Sequence, residues 1–414
     1  MDLTWNNNRV TTDSFFSNFS PAFNSTLIAQ YSQPLLRGFQ TDPSRQQLVV
    51  ARRNRDISDL QLQTTITNTL SSVHSAYWDL VFAVESIDVA QKSFELAQQL
   101  VQENQRRVSF GTMTQLDLVT AQSREASSAQ ALVQAQGNRR TAELALKRLI
   151  AASGDDPIWQ ESLDPTDRPE IQPETIDVEA AVRRALNQRT DLQQARQQAA
   201  ANQATYLLLR DETRPQADVI ATYALAGLGG RKLIRSGSFL DTRVVGSVPG
   251  GFGDALNRLF GHDFPAWTVS LRMSYPVGFS AARAAAARAE LQMKQVDIQI
   301  RQLEVQVTTE VTNAAIQVRN TSEQLVAVRR ARDAAQQSLD AEQRKFQAGT
   351  STNYLVVQAQ RDLAEAETAE LQAQVAHRKS LVEFDRSQQT TLQVAGVTMV
   401  PASGARPAVG SEAP

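Results

Sequence analysis

Two short stretches interrupt an otherwise helix-suited chain at matched points, and they restrict its fold more than any other feature. "VSFGTMTQLDLV" begins at Val108 and "FQAGTSTNYLVV" at Phe346. Gly111 and Gly349 lie 238 positions apart (349 − 111), and each opens a Gly-Thr-x-Thr run. Upstream of the first break, apolar residues recur every seven positions at Val73, Leu80, Ile87, Val101 and Val108. Adding 238 gives Val311, Val318, Leu325, Leu339 and Phe346, apolar again. The intermediate heptad positions hold Leu70, Tyr77 and Val84 in the first copy, and Thr308, Ala315 and Ser322 in the second. A stripe of this period, set twice in the same phase to the same break, predicts coiled-coil helices in two homologous halves.

Composition agrees with long helices. Ala, Gln, Leu, Glu and Arg dominate, and only 6% of the 414 residues are aromatic, thin for a large compact core. A net charge of −2 offers no field for nucleic acid, which is not expected as a partner. The absence of cysteine excludes disulfides and thiolate sites. No apolar run reaches the roughly 20 residues of a membrane-spanning helix.

Period-two segments lie upstream of each long helix. "WTVSLRMSYP" sets Trp267, Val269, Leu271, Met273 and Tyr275 on one face against Thr268, Ser270, Arg272 and Ser274. "STLIAQYSQP" sets Leu27, Ala29 and Tyr31 against Ile28, Gln30 and Ser32; the two segments end at Pro276 and Pro34. "ADVIATYALAG" groups Val219, Ala221, Tyr223 and Leu225, and a fourth strand is expected near Leu3 to Val10. Such alternation describes a sheet with one apolar and one polar face. From Pro34 to Gly111 is 77 residues and from Pro276 to Gly349 is 73. Helices filling most of those spans would run roughly 100 Å, so they must lie side by side. They cannot compactly cover the apolar sheet face. Open edges are not tolerated in lipid and the smallest closed single-chain barrels have about eight strands, so four strands per chain call for a soluble setting or a shared barrel. Three chains would supply twelve.

The organisation expected is a first repeat at 1–152, with a strand pair, a long helix, a tip turn at 111 and a return helix. A Pro/Asp-rich connector at 153–176 follows. The second repeat at 177–394 has a helix at about Asp177 to Asp211, a strand pair with a long loop over 226–265, a long helix, a tip turn at 349 and a return helix. A disordered tail is expected at 395–414. The helix at Asp177 has no counterpart in the first half. That asymmetry predicts a further helix and a signal peptide ahead of Met1.

No catalytic constellation emerges. His74, His262 and His377 are remote from one another and belong to no ligand motif. The glycines of "GLGG" and "PGGFG" lack the Gly-Lys-Ser/Thr of a phosphate loop and suit a flexible loop. The expectation is a protein that is not an enzyme and carries no cofactor or metal. The breaks suit hairpin turns, with Gly at the helix C′ position and Thr114 or Thr352 capping the next helix. Met113, Leu116 and Leu118 then lie near an exposed end, where apolar residues mark a docking surface.

Taken together, "FGTMTQLDLVTAQ" and "AGTSTNYLVVQAQ", "ALNQRTDLQQA" (Ala185 to Ala195), "QYSQPLLRGF", "SLRMSYPVGF" and "AYWDLV" (Ala76 to Val81) resemble the TolC-like outer-membrane efflux channel family, without its N-terminal portion. The two tip turns carry the most specific likeness, to the pattern Gly-x-x-Thr-x-x-Asp-Val. Thr190 stands where the family usually has proline. The resemblance implies an α+β membrane protein. Its long antiparallel coiled-coil helices would form a periplasmic α-barrel, and its four strands per chain would join a trimeric twelve-stranded transmembrane β-barrel. The implied function is the outer-membrane exit duct of a tripartite efflux (multidrug resistance) or type I secretion system, in the bacterial outer membrane with a large periplasmic portion. It would conduct solutes passively as a homotrimer, bound to a periplasmic adaptor (membrane fusion) protein and through it to an inner-membrane pump. The alternative is a soluble or peripheral oligomeric coiled-coil scaffold.

The same resemblance implies that Gly111, Thr112, Met113, Thr114, Leu116, Gly349, Thr350, Thr352 and Tyr354 form the periplasmic tip that docks the adaptor. Asp117 would be the pore-constriction acid, three of them forming a ring. The second copy departs here, with Leu355 and Gln358 at the matching acidic positions. Leu27, Tyr31, Val219, Tyr223, Trp267, Val269, Leu271, Met273 and Tyr275 would form the face against outer-membrane lipid.

Overall fold

The computed structural model describes residues 1–14, 16–167, 176–237, 243–275 and 280–398. Pro276, read as the end of a strand, lies outside them, as do 168–175 of the connector and most of the expected tail. The chain divides into two compact units: Met1–Asn54 with Gln198–Val296, and Arg55–Gln197 with Asp297–Pro414. Each unit draws on both sequence repeats.

The first unit is built on one antiparallel sheet of β1 (Asp2–Val10), β2 (Phe19–Pro34), β3 (Gln216–Ser236), β4 (Arg243–Val248) and β5 (Pro265–Ser274). β3 lies between β2 on one edge and, on the other, β5 along Gln216–Leu225 and β4 along Lys232–Ser236. Directly paired residues project to the same face of a sheet. The register therefore joins four strands into apolar rows: Trp5, Leu27 and Leu225; Leu3, Ala29, Tyr223 and Trp267; Tyr31, Ala221 and Val269. The intervening rows, such as Gln30, Thr222 and Thr268, or Asp218 and Arg272, are polar. β1 and β5 are the outer strands, and every residue of both is exposed.

Two expectations are corrected here. Among the described residues the sheet has five strands rather than four, the extra one being the six-residue β4. Within the described residues of the expected loop over 226–265, β3 continues to Ser236, and a helix Phe252–Phe260 lies between β4 and β5. Glycines that suggested a loop instead let this helix approach the strand, since a Cβ at Gly227 or Gly229 would overlap the backbone of Ala255 or Gly251. At the strand-to-helix junction, the buried Asp211 carboxylate accepts the Gly38 N–H at 2.7 Å, with Gly38 at φ 82°.

Two 67-residue helices, α1 (Pro43–Ser109) and α6 (Ala281–Gln347), begin in the first unit and continue in the second. Two 36-residue helices follow them, α2 (Gln115–Ile150) and α7 (Asn353–Gln388). The single helix expected at Asp177 to Asp211 is two, α3 (Val178–Gln188) and α4 (Thr190–Asp211), broken at Arg189, whose guanidinium pairs with Asp191 at 2.6 Å. The helix between β4 and β5 is α5, and Thr391–Val394 forms a last turn, α8.

Small side chains dominate the second unit's interior. Ala181, Ala185, Leu192, Val307 and Val311 form one cluster; Leu339, Ala359 and Leu363 form another. Alanine and valine at helix contacts let backbones approach closely, which is how a chain so poor in aromatics closes a core. Val311, Val318, Leu325, Leu339 and Phe346 of the second heptad stripe are all buried, as are Leu80 and Val101 of the first. Two of the buried polar groups have clear partners. Thr321 bonds His377 and Ser380, and Glu370 receives Arg329 and Arg332. Burial pushes Glu310 up, but hydrogen bonds from Gln306 and Arg189 outweigh it and hold the carboxyl below its ordinary range.

Candidate functional site

Both breaks are the same turn. Gly111 has φ 72° and Gly349 φ 75°, left-handed values that L side chains disfavour. Gly111 N–H bonds the Val108 carbonyl at 2.9 Å and Thr112 N–H the Arg107 carbonyl at 2.9 Å. In the second copy Gly349 bonds Phe346 at 3.1 Å and Thr350 bonds Lys345 at 2.9 Å. This pair of bonds closes the last helical turn on its free carbonyls. The hydroxyls of Thr112 and Thr350 add a second bond to the same Arg107 and Lys345 carbonyls.

The returns differ. Thr114 caps α2: its hydroxyl accepts the Asp117 N–H at 3.3 Å and donates to the Asp117 carboxylate at 2.6 Å. Asp117 thus answers its cap from the first turn of α2. Thr352 occupies the N-cap position of α7 but makes no side-chain cap bond, and Leu355 stands where Asp117 stands in the first copy. Ser351 turns instead to Glu342, whose carboxyl it holds, together with Lys345, below the ordinary range.

The two hairpins pack against each other at their tips. Leu100, Val101, Leu118, Ala121, Phe346, Val356 and Val357 form the cluster, with Val108 and Met113 against it. The Arg107 guanidinium lies over the Phe346 ring at 4.2 Å and bonds Glu103. Leu118, read from sequence as exposed, is therefore buried, and Met113 is half-buried. Leu116 remains exposed at 74%, and Tyr354 and Leu355 are exposed on the other hairpin. Gly111, Thr112, Thr114, Gly349, Thr350 and Thr352 are exposed and Asp117 is half-buried.

Sequence reasoning missed two features of the tip. Phe110 is 81% exposed beside Gly111; its aromatic type next to a break was the available signal. Asn104 and Asn353 are fully buried and bonded to each other; a polar residue on a long helix gave no such signal.

The sheet residues singled out from sequence share one face. Trp267, Val269, Leu271, Met273, Tyr31 and Tyr223 are exposed on it, Leu27 and Val219 are half-buried, and Tyr275, also exposed, follows the last residue of β5. An exposed apolar face across four strands is unusual on a water-soluble surface. Among the described residues, no helix is long and apolar enough to cross a membrane, and no group of three or more His, Cys, Asp or Glu could hold a metal.

Residues 1–152 and 181–387 match the sequence pattern of the outer membrane efflux protein family. No curated protein matches the chain. In fold the chain is similar to the outer membrane protein VceC of Vibrio cholerae, with a TM-score of 0.69 and 15% identity over 94% of this chain and 86% of that one. It is also similar to the Campylobacter jejuni CmeC outer membrane channel (TM-score 0.67, 14% identity, 94% and 77% covered). The open-state MtrE outer membrane channel of Neisseria gonorrhoeae gives 0.65, 18% identity, and 94% and 81%. Helix–turn–helix tips, an apolar-faced sheet, and a match over most of the sequence lead to one conclusion: the chain belongs to the outer membrane efflux protein family.

Proposed function

We propose that three copies of this chain form the outer-membrane exit duct of a tripartite efflux or type I secretion assembly. One observation carries the reading. β1 and β5 are exposed along their whole lengths as the outer edges of a sheet with a continuous apolar face. Open edges are expensive in lipid, where no water satisfies the backbone, so β5 of one copy pairs with β1 of the next. The four long strands of each copy then close a twelve-stranded barrel, with the apolar rows toward lipid and the polar rows toward the lumen.

The hairpins form the periplasmic part. Their exposed Phe110, Leu116, Tyr354 and the turns at Gly111 and Gly349 make the surface on which a periplasmic adaptor docks, and the adaptor links the duct to an inner-membrane pump. Asp117 contributes three carboxylates to the constriction in a trimer. The duct performs no chemistry, and selection rests with the pump.

The test is fractionation of cells expressing the protein. A heat-modifiable trimer in the outer membrane that conducts ions in planar bilayers is expected. Recovery as soluble protein with no trimer would sink the duct. Leu116→Glu and Tyr354→Glu should abolish adaptor capture while the trimer persists; undiminished capture would remove the tips as the contact.

A further inference from the structure

The helix α5 is set against the sheet in an unexpected place. Strand β3 alternates without a register shift from Val219 to Gly229, so Gly227 and Gly229 share the face of Val219, Tyr223 and Leu225. α5 packs over those two glycines, with Ala255 and Leu259 fully buried. It therefore lies on the apolar, outward side of the sheet rather than on the side read as the lumen.

Its sequence FGDALNRLF suits that place. Next to the buried Ala255 and Leu259, a second stripe of Phe252, Leu256 and Phe260 follows i, i+4, i+8 spacing. Phe252 packs against Phe23 of β2 at 6.1 Å, while Phe260 is 60% exposed. The remaining arc is polar. Asp254 accepts the Gly251 N–H at 2.7 Å, and Arg258 bonds the Leu228 carbonyl at 3.1 Å. Below the helix come Phe264 and Trp267, both exposed. A short helix with a polar arc, one buried edge and one aromatic edge fits the boundary between acyl chains and headgroups.

The height of the apolar band favours the same position. Trp267 to Tyr275 is eight residue steps (275 − 267) along β5 and the residue after it, roughly 20 Å of membrane depth for strands tilted about 40°. An outer-membrane barrel presents an apolar band of about 25 Å. Directly above Leu225 the outward face of β3 carries Gly227 and Gly229, and bare backbone would meet lipid there. α5 covers it.

Resting on the duct reading above, we propose that α5 is an interfacial collar: its Phe252–Leu256–Phe260 edge, with Phe264, enters the acyl-chain boundary of the lipid leaflet nearest it. The chain has no cysteine, so single cysteines report cleanly. Phe260→Cys and Phe264→Cys carry an environment-sensitive fluorophore in the full chain reconstituted into phosphatidylcholine–phosphatidylglycerol vesicles. Leu271→Cys, in the middle of the apolar rows, is the reference. Expected is quenching of the Phe260 and Phe264 labels by a spin label near the lipid headgroup, quenching of Leu271 by one deep in the chain, and weak quenching of all three by iodide. Iodide quenching at Phe260 and Phe264 with Leu271 still in lipid would overturn the collar and leave the duct standing. Protection of both labels from lipid and iodide alike would mean that a neighbouring chain covers the edge, which also overturns it. A Leu271 label open to iodide and unreached by lipid would remove the duct reading itself. Gly227→Ala should displace α5 and abolish lipid quenching at Phe260 while Leu271 is unchanged.

Discussion

Asn104 donates from Nδ2 to Asn353 Oδ1 across 2.8 Å, joining the two hairpins inside their shared tip core. Asn353 in turn donates to the Asp117 backbone carbonyl at 3.0 Å. Both side chains are buried, so neither finds water when its partner is removed. We predict that Asn104→Ala and Asn353→Ala each weaken the tip by about 1–3 kcal/mol. The double variant should show a coupling of about 0.5–1.5 kcal/mol. Amide exchange on α1 and α7 near the turns reads this directly; strictly additive losses would mean that the pair contributes nothing of its own.

The two glycines give an internally controlled prediction. A Cβ at Gly111 or Gly349 would meet nothing within 4 Å, so the left-handed φ alone penalises substitution. Gly111→Ala and Gly349→Ala should each lose about 1–2 kcal/mol of turn stability, equally, and Asn should lose less at both sites. Unequal losses in amide exchange across the two turns would show that something beyond φ distinguishes them.

What could be read from the sequence follows from how local the cause is. A heptad stripe and a Gly-Thr break are set by neighbouring residues, so the long helices and their turns are legible from Val73 to Phe346. Strand faces are legible for the same reason, since Trp267 to Tyr275 alternate strictly. α5 was hidden because Gly227, Gly229 and "PGGFG" carry the signal of a loop, while Gly227 and Gly229 pack closely against Ala255, 28 and 26 positions away. Asn104 and Asn353 were hidden because their partnership spans 249 positions. Leu118 was misread because one helical face was buried by the other hairpin, which only the tertiary arrangement shows.

The unequal returns predict unequal responses. Thr114→Ala removes both cap bonds to Asp117 and should cost about 1 kcal/mol, whereas Thr352→Ala, which loses no cap bond, should cost a few tenths. Leu355→Asp places the missing acid in the first turn of α7, where it can answer Thr352 and oppose the positive end of the helix. It should stabilise that turn by about 0.5–1 kcal/mol. Exchange protection of the first amides of α7 is the measurement; no gain would show that Thr352 cannot rotate into the cap.

The far end of α2 carries a pH dependence. Glu143 pairs with Lys147 at 2.8 Å and accepts the Leu163 N–H at 3.2 Å, while Lys147 bonds the carbonyls of Trp159 and Glu161. The Lys147 hydrogen bond, against the opposing effect of burial, holds the Glu143 carboxyl below its ordinary value of 4.5. A carboxyl depressed in the folded state contributes stability above its unfolded pKa and loses it as pH falls through the folded value. The wild type should therefore exceed Glu143→Gln in thermal stability at neutral pH. That advantage should shrink as pH drops below 4.5 and vanish once Glu143 is protonated in both states. A melting-temperature difference that stays constant across this range would show that the ionised carboxylate is not what clamps the connector to α2.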